Sequence, residues 1–260
     1  MHRLTELRTQ RGSRAVGGTL RTKRSAWVLS GTTTPFWHDT EPKDRLMGSH
    51  VAVRDLEAIC GEVGRILYEN GHHHSCIVGS ALLLQVLHGL GYSEAYPLTV
   101  GVQICNRKFQ QWVEQHGSPN DEASSAACNE MGGVEIIIGK EGEGLIAADR
   151  WAGHLAVAIP NHFGDRHALC DLTIGQANRP EWEVQLPPLI CLRVRDDFVS
   201  GASPFQTVIN GSLVIYNALP DDRSYSEGRD WLAIDGLDTA SSIVIHALGV
   251  GSPTPPGFGR

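Results

Sequence analysis

From Cys76 to Leu90 the chain has almost no polar face. In CIVGSALLLQVLHGL, residues Ile77, Val78, Ala81, Leu82, Leu83, Leu84, Val86, Leu87 and Leu90 lie all around a helix of 3.6-residue period. A helix apolar on every side has to be surrounded by protein, so the fold must be built around this one. Gly89 and Gly91 end it, while Gly79, Ser80 and Ala81 are small enough for another backbone to come close near its beginning. The polar turn NGHHHS precedes it, so Cys76 stands where a loop becomes a buried helix. Two readings of that cysteine follow. As packing, it is a small buried thiol, the ordinary fate of an unpaired cysteine. As chemistry, it occupies the helix start, where unpaired N–H groups and the helix dipole favour a thiolate nucleophile.

A core of that kind needs a chain long enough to enclose it, and 260 residues suffice for one sizeable domain. A hydrophobic content of 41% with 20% charged residues fits a soluble globular protein. The net charge of -7 argues against nucleic acid as a partner, since phosphate binding wants a basic surface. No apolar run reaches the roughly 18 residues of a membrane-spanning helix, so no membrane partner is expected. Residues 1–49 read as a disordered, basic N-terminal extension. Its first part carries Arg3, Arg8, Arg11, Arg14, Arg21, Lys23 and Arg24 against Glu6 alone. This composition also suits a transit-type segment or an upstream extension before an internal start at Met47. Six cysteines without C-x-x-C pairs, and no secretory signal, point to reduced thiols in the cytoplasm.

The remaining chain, residues 50–250, reads as one domain followed by a flexible tail over 251–260. In VAVRDLEAICGEVGRILYENG, residues Val53, Leu56, Cys60, Val63 and Leu67 recur at helical spacing. Gly71 is its stop, and Cys60 is a small filler in its apolar stripe. Beyond the central helix the period changes to two. Leu98, Val100, Val102 and Ile104 alternate, and VEIIIGK, HLAVAIP, HALCDLTIG and PPLICLRV read as further strands. Asn210-Gly211 between apolar runs marks a hairpin, and DTASSIVIHALG a last helix. The stretch NRKFQQWVEQHGSPNDEASSAACNEMGG is polar and irregular and reads as a surface excursion, with EGEG at 141–144 a turn. Helices first and strands later predict an α+β fold with an antiparallel sheet.

Three residues in chain order carry a possible chemistry. Cys76 begins the buried helix, His154 heads the strand HLAVAIP, and Asp171 lies in the next strand, 17 residues further on. A strand, a turn and a second strand of similar length would bring His154 and Asp171 side by side. A histidine there can take a proton from sulfur and deliver it to a leaving group. The aspartate would fix the ring's tautomer and orientation, and the helix N–H groups would hold an oxyanion.

The order HSCIVGSALLLQVLHGLGY, PLTVGV, GHLAVAIP and CDLTIGQA resembles the transglutaminase-like, papain-related superfamily over about residues 51–180. The resemblance implies a papain-like fold in which a buried helix carrying the cysteine packs on an antiparallel sheet. It implies Cys76 as nucleophile, His154 as base and Asp171 as orienting acid. A peptide or amide-containing substrate would pass through a thioester, with no cofactor and no metal. Where the family usually has tryptophan two residues after the histidine, this chain has Ala156. That departure keeps open a catalytically inactive scaffold or binding module of the same fold. Oligomeric state is not readable from the sequence.

Other residues admit plainer readings. His72, His73 and His74 suit a solvated loop better than one ion, and His154, His162, His167 and Cys170 match no closed zinc spacing. A metal-dependent hydrolase using these histidines is the weaker alternative. Cys170 alternates with Asp171 and should face the other side of its strand. Gln176, Asn178, Arg179 and Trp182 form either an ordered loop or part of a substrate wall, and Trp151 either shields the site or belongs to the core.

Overall fold

The computed structural model describes residues 56–139, 153–227 and 230–249. The basic extension, the tail, Val53, the EGEG turn and Trp151 lie outside the described residues. The first helix, α1 (Leu56–Glu69), buries Leu56, Ile59, Cys60, Val63, Ile66 and Leu67 along one stripe. It ends as the spacing predicts: Gly71 takes a left-handed φ of 73°, and the His72 N–H donates back to the Leu67 carbonyl at 2.8 Å.

The all-round apolar segment becomes α2 (Cys76–Gly89), with Ser75 as its N-cap accepting from the Val78 N–H. Every residue from Gly79 to Leu84 is buried, as are Val86 and Leu87. Each such leucine stabilises the fold by about 1.5–3 kcal/mol. The neighbours that the small residues admit are now visible. Ser80 donates from its hydroxyl to the Leu155 carbonyl at 3.0 Å, tying the helix start to the strand that carries His154. At the far end, a Cβ on Gly89 would stand 2.6 Å from Ile245 Cδ1 of the last helix.

Seven strands form one sheet, with every pairing antiparallel. They are β1 (Tyr96–Cys105), β2 (Glu135–Ile138), β3 (His154–Ile159), β4 (His167–Asp171), β5 (Ile190–Val194), β6 (Phe205–Ile209) and β7 (Ser212–Ala218). The spatial order is β5-β4-β3-β1-β7-β6, with β2 beside β3 along the same edge of β1. Asn210 and Gly211 both take positive φ in the β6–β7 turn, as an Asn-Gly hairpin requires. One face of the sheet, including Val157, Ile159, Ala168 and Cys170, packs under α1, α2 and the last helix, α6 (Leu237–Ala247). The opposite face gathers Leu98, Val100, Val102, Ile104, Ala156, Ala158, Leu169, Val214 and Tyr216 into a second core. The α+β class expected from the pattern is therefore observed.

One expectation is corrected. The stretch after β1 is not irregular: it holds two helices, α3 (Arg107–His116) and α4 (Glu122–Glu130). Helix α3 leaves its short apolar stripe of Phe109, Trp112 and Val113 only partly covered and α4 buries only Cys128, so burial alone does not mark them out. Their caps define them instead. Asn106 accepts from the Phe109 N–H at 2.8 Å, and Asp121 forms a capping box with Ser124. A short helix, α5 (Asp196–Val199), follows β5.

Candidate active site

His154 opens β3 and Asp171 closes β4, so the antiparallel pairing places both at one end of the sheet. The register Val157↔Cys170 sets Asp171 level with Ala156, on the same face as His154 and diagonal to it. The His154 Nε2 and Asp171 Oδ2 atoms are 2.8 Å apart, and both side chains are 0% exposed. Ala156, the residue without an aromatic ring, is itself fully buried at the level of the carboxylate.

The carboxylate is held from three sides. Besides His154, it accepts from the Thr173 N–H at 3.0 Å on Oδ1 and from the Tyr216 hydroxyl at 3.0 Å on Oδ2. Burial alone would raise the Asp171 pKa; the charge of His154 and these hydrogen bonds outweigh it and hold it below 3.8. For His154, burial alone would lower the pKa. Asp171, by charge and hydrogen bond, together with a side-chain hydrogen bond to Cys76, raises it to about 10. The pair is thus an imidazolium and a carboxylate sealed from water.

Cys76, at the N-terminus of α2, lies within hydrogen-bonding reach of the His154 ring, and its Sγ is 3.9 Å from the Gly153 carbonyl oxygen. Gln176, in the 3-10 turn Ile174–Ala177, places its Nε2 3.1 Å from His154 Nδ1. An amide N–H can donate there only while Nδ1 is unprotonated. With the ring charged, Nδ1 itself donates, and the amide must present its oxygen. The two orientations of Gln176 therefore track the proton on His154. Gly139, just after β2, closes the far side: a Cβ there would lie 2.9 Å from the His154 Cβ.

Cys76, His154 and Asp171 are thus brought together. Cys170 faces the helices, away from Asp171, as alternation requires. The histidine sets do not gather among the described residues. His167 pairs with Asp196 at the opposite end of the hairpin, His162 packs on Tyr92 and Phe163, and His73 and His74 stack on each other. Of Gln176, Asn178, Arg179 and Trp182, only Gln176 touches the site. Asn178 accepts from the Leu186 N–H, Arg179 donates to the carbonyls of Gln176 and Asn178, and Trp182 lies half exposed on the surface. Tyr216 was not foreseeable as a partner: it reads as one more apolar strand residue, although a fully buried hydroxyl always needs an acceptor. A shallow depression lined by Asp165, Arg166, Arg195, Asp196 and Asp197 lies at the other end of the β3–β4 hairpin.

The buried pair makes stability depend on pH in a definite direction. His154 holds its proton more tightly when folded, up to about 10 against 6.5, so its contribution is complete below 6.5 and is lost as pH rises to about 10. Asp171 is lowered from 3.8, so its contribution is present above 3.8 and is lost as pH falls through its depressed value. Urea unfolding midpoints should therefore decline between pH 6.5 and 10, and NMR of the His154 ring should show it protonated at pH 8. A ring titrating near 6.5 would contradict the pairing.

No protein-family model, curated protein or solved structure matches this chain, so the functional reading rests on the fold and the site. Together they define an α+β protein with a thiol at a helix start, set against a buried imidazolium–carboxylate pair.

Proposed function

We propose that this chain is a cysteine-dependent hydrolase or acyltransferase of transglutaminase-like, papain-related architecture, acting on an amide or peptide bond. The observation that carries the reading is the fully buried His154–Asp171 pair with the Cys76 thiol within hydrogen-bonding reach of its ring. A buried ion pair is weak as a stabiliser, because desolvation offsets most of the attraction. Its position beside a thiol at a helix N-terminus is better explained by proton transfer.

In this mechanism the Cys76 sulfur, its proton already held on His154 Nδ1, attacks the substrate carbonyl carbon as the thiolate. The C–S bond forms as the C=O π pair moves to oxygen. In this reading the Cys76 N–H at the helix start and the Gln176 amide N–H donate to that oxyanion. Collapse of the tetrahedral intermediate breaks the C–N bond. The Nδ1 proton goes to the leaving amine, and a thioester remains on Cys76. Water as second acceptor makes the reaction a hydrolysis; an amine makes it a transfer. Asp171, fixed by Tyr216 and the Thr173 N–H, keeps the imidazole in one tautomer and one orientation.

Incubation with an activated acyl ester such as p-nitrophenyl acetate tests this directly. Intact-mass analysis should show one acyl adduct on Cys76 that hydroxylamine removes, and Cys76→Ala should lower its formation by at least ~10³-fold. An adduct that forms equally fast on Cys76→Ala, or that maps to another cysteine, would refute the mechanism. A thiol that resists acylation although His154 and Asp171 are in place would favour the inactive binding module.

A further inference from the structure

The cysteines that looked scattered in the sequence are not all scattered in space. Cys60 of α1, Cys170 of β4 and Cys191 of β5 bring their sulfurs within 4.8 Å of one another. Cys170 and Cys191 are directly opposed across the β4–β5 pairing, and Cys60 lies over them with its Sγ 3.4 Å from that of Cys191. All three are thiols in this structure. The close approach is built into α1: one turn after Cys60 stands Gly64, where a Cβ would be 3.0 Å from Leu189 Cδ2, next to β5. None of the three belongs to the acyl-transfer mechanism.

We propose that Cys60, Cys170 and Cys191 form a binding site for one soft monovalent d10 cation of the Cu(I) type. The argument is geometric and chemical. Three sulfurs around an ion at about 2.3 Å stand about 4.0 Å apart in a trigonal plane. The observed spacings, from 3.4 Å up to a limit of 4.8 Å, bracket that value. A ligand set of sulfur alone selects soft ions over magnesium, calcium or manganese. Zinc asks for four ligands, and among the described residues no fourth histidine, cysteine or carboxylate joins the three. Cys60 and Cys170 are almost fully buried, whereas Cys191 is half-buried on the edge strand β5, which gives the ion a route from solvent. Each sulfur that ligates as thiolate releases its proton to water. The bound ion would tie α1 to β4 and β5, directly behind the strand that ends in Asp171.

The test uses the full chain carrying Cys76→Ser, so that the proposed nucleophile cannot compete. Anaerobic titration with Cu(I) against a chromophoric Cu(I) chelator should give one equivalent per chain and raise the thermal midpoint. Cys191→Ser, the least buried change, should weaken binding by more than the ~10–100-fold typical of losing an outer-shell partner. Cys60→Ser and Cys170→Ser should do the same wherever circular dichroism shows them folded. Zinc should bind far more weakly. Affinity unchanged in Cys191→Ser, no stoichiometric binding in the folded parent, or a Cys60–Cys191 disulfide persisting in reductant would each overturn the proposal.

Discussion

Asp171→Ala is expected to destabilise the fold by about 3–5 kcal/mol, the usual cost of leaving one member of a buried ion pair without the other. Three groups lose their acceptor at once: the His154 Nε2–H, the Thr173 N–H and the Tyr216 hydroxyl. Acylation of Cys76 should fall by roughly 10³–10⁴-fold, because nothing then fixes the imidazole's tautomer or direction. Asp171→Asn separates orientation from charge. It retains an oxygen acceptor but removes the negative charge that offsets burial of His154. The His154 pKa should therefore drop from about 10 to below 6.5, since burial then dominates. Ring titration by NMR, together with the urea midpoint, checks both variants. An Asp171→Asn protein whose His154 still titrates near 10 would mean that the carboxylate is not the cause.

Gly139→Ala should damage the site without touching any of its reacting groups. Gly139 sits at φ 65°, where a side chain costs about 1–2 kcal/mol. Its new Cβ would meet the Val100 carbonyl oxygen at 2.5 Å and the His154 backbone nitrogen at 2.8 Å. These are backbone atoms of two paired strands and cannot swing aside. Overpacking of this kind costs about 1–3 kcal/mol more. Relief requires β3 to shift at the very residue that carries the imidazole. A displacement of about 1 Å costs reactivity on the order of 10²-fold. The expected result is a folded, less stable protein with slow acylation at Cys76 and an altered His154 titration. Wild-type acylation in a folded Gly139→Ala protein would show that the strand has slack that the contacts do not reveal.

Much of the frame was readable in advance because burial writes itself into periodicity. The all-round apolar run at 77–90 had to be central, and α2 packs at once on β1 and β3 of the sheet and on α1 and α6. Asn210-Gly211 had to be a tight hairpin because few residues other than Asn and Gly accept positive φ at two successive positions. The same logic was weak for α3 and α4: α3 has only the short, partly covered stripe of Phe109, Trp112 and Val113, and α4 buries Cys128 alone. Asn106 and Asp121, as cap residues, announced where they start. Gln176 was one polar residue among four in its loop until the 3-10 turn brought its amide to His154.

By itself, then, the sequence determined what has to be buried and where the chain must turn. It also fixed the faces of neighbouring residues, as with Cys170 and Asp171, because alternation along a strand is local geometry. Tertiary structure decided which distant groups meet. Tyr216 reaches Asp171 across the sheet, and Cys60 reaches Cys191 from a helix 131 residues earlier. Such meetings depend on strand order, register and the height at which a helix sits over a sheet. These are set by the packing of the whole core, and no short stretch of residues encodes them.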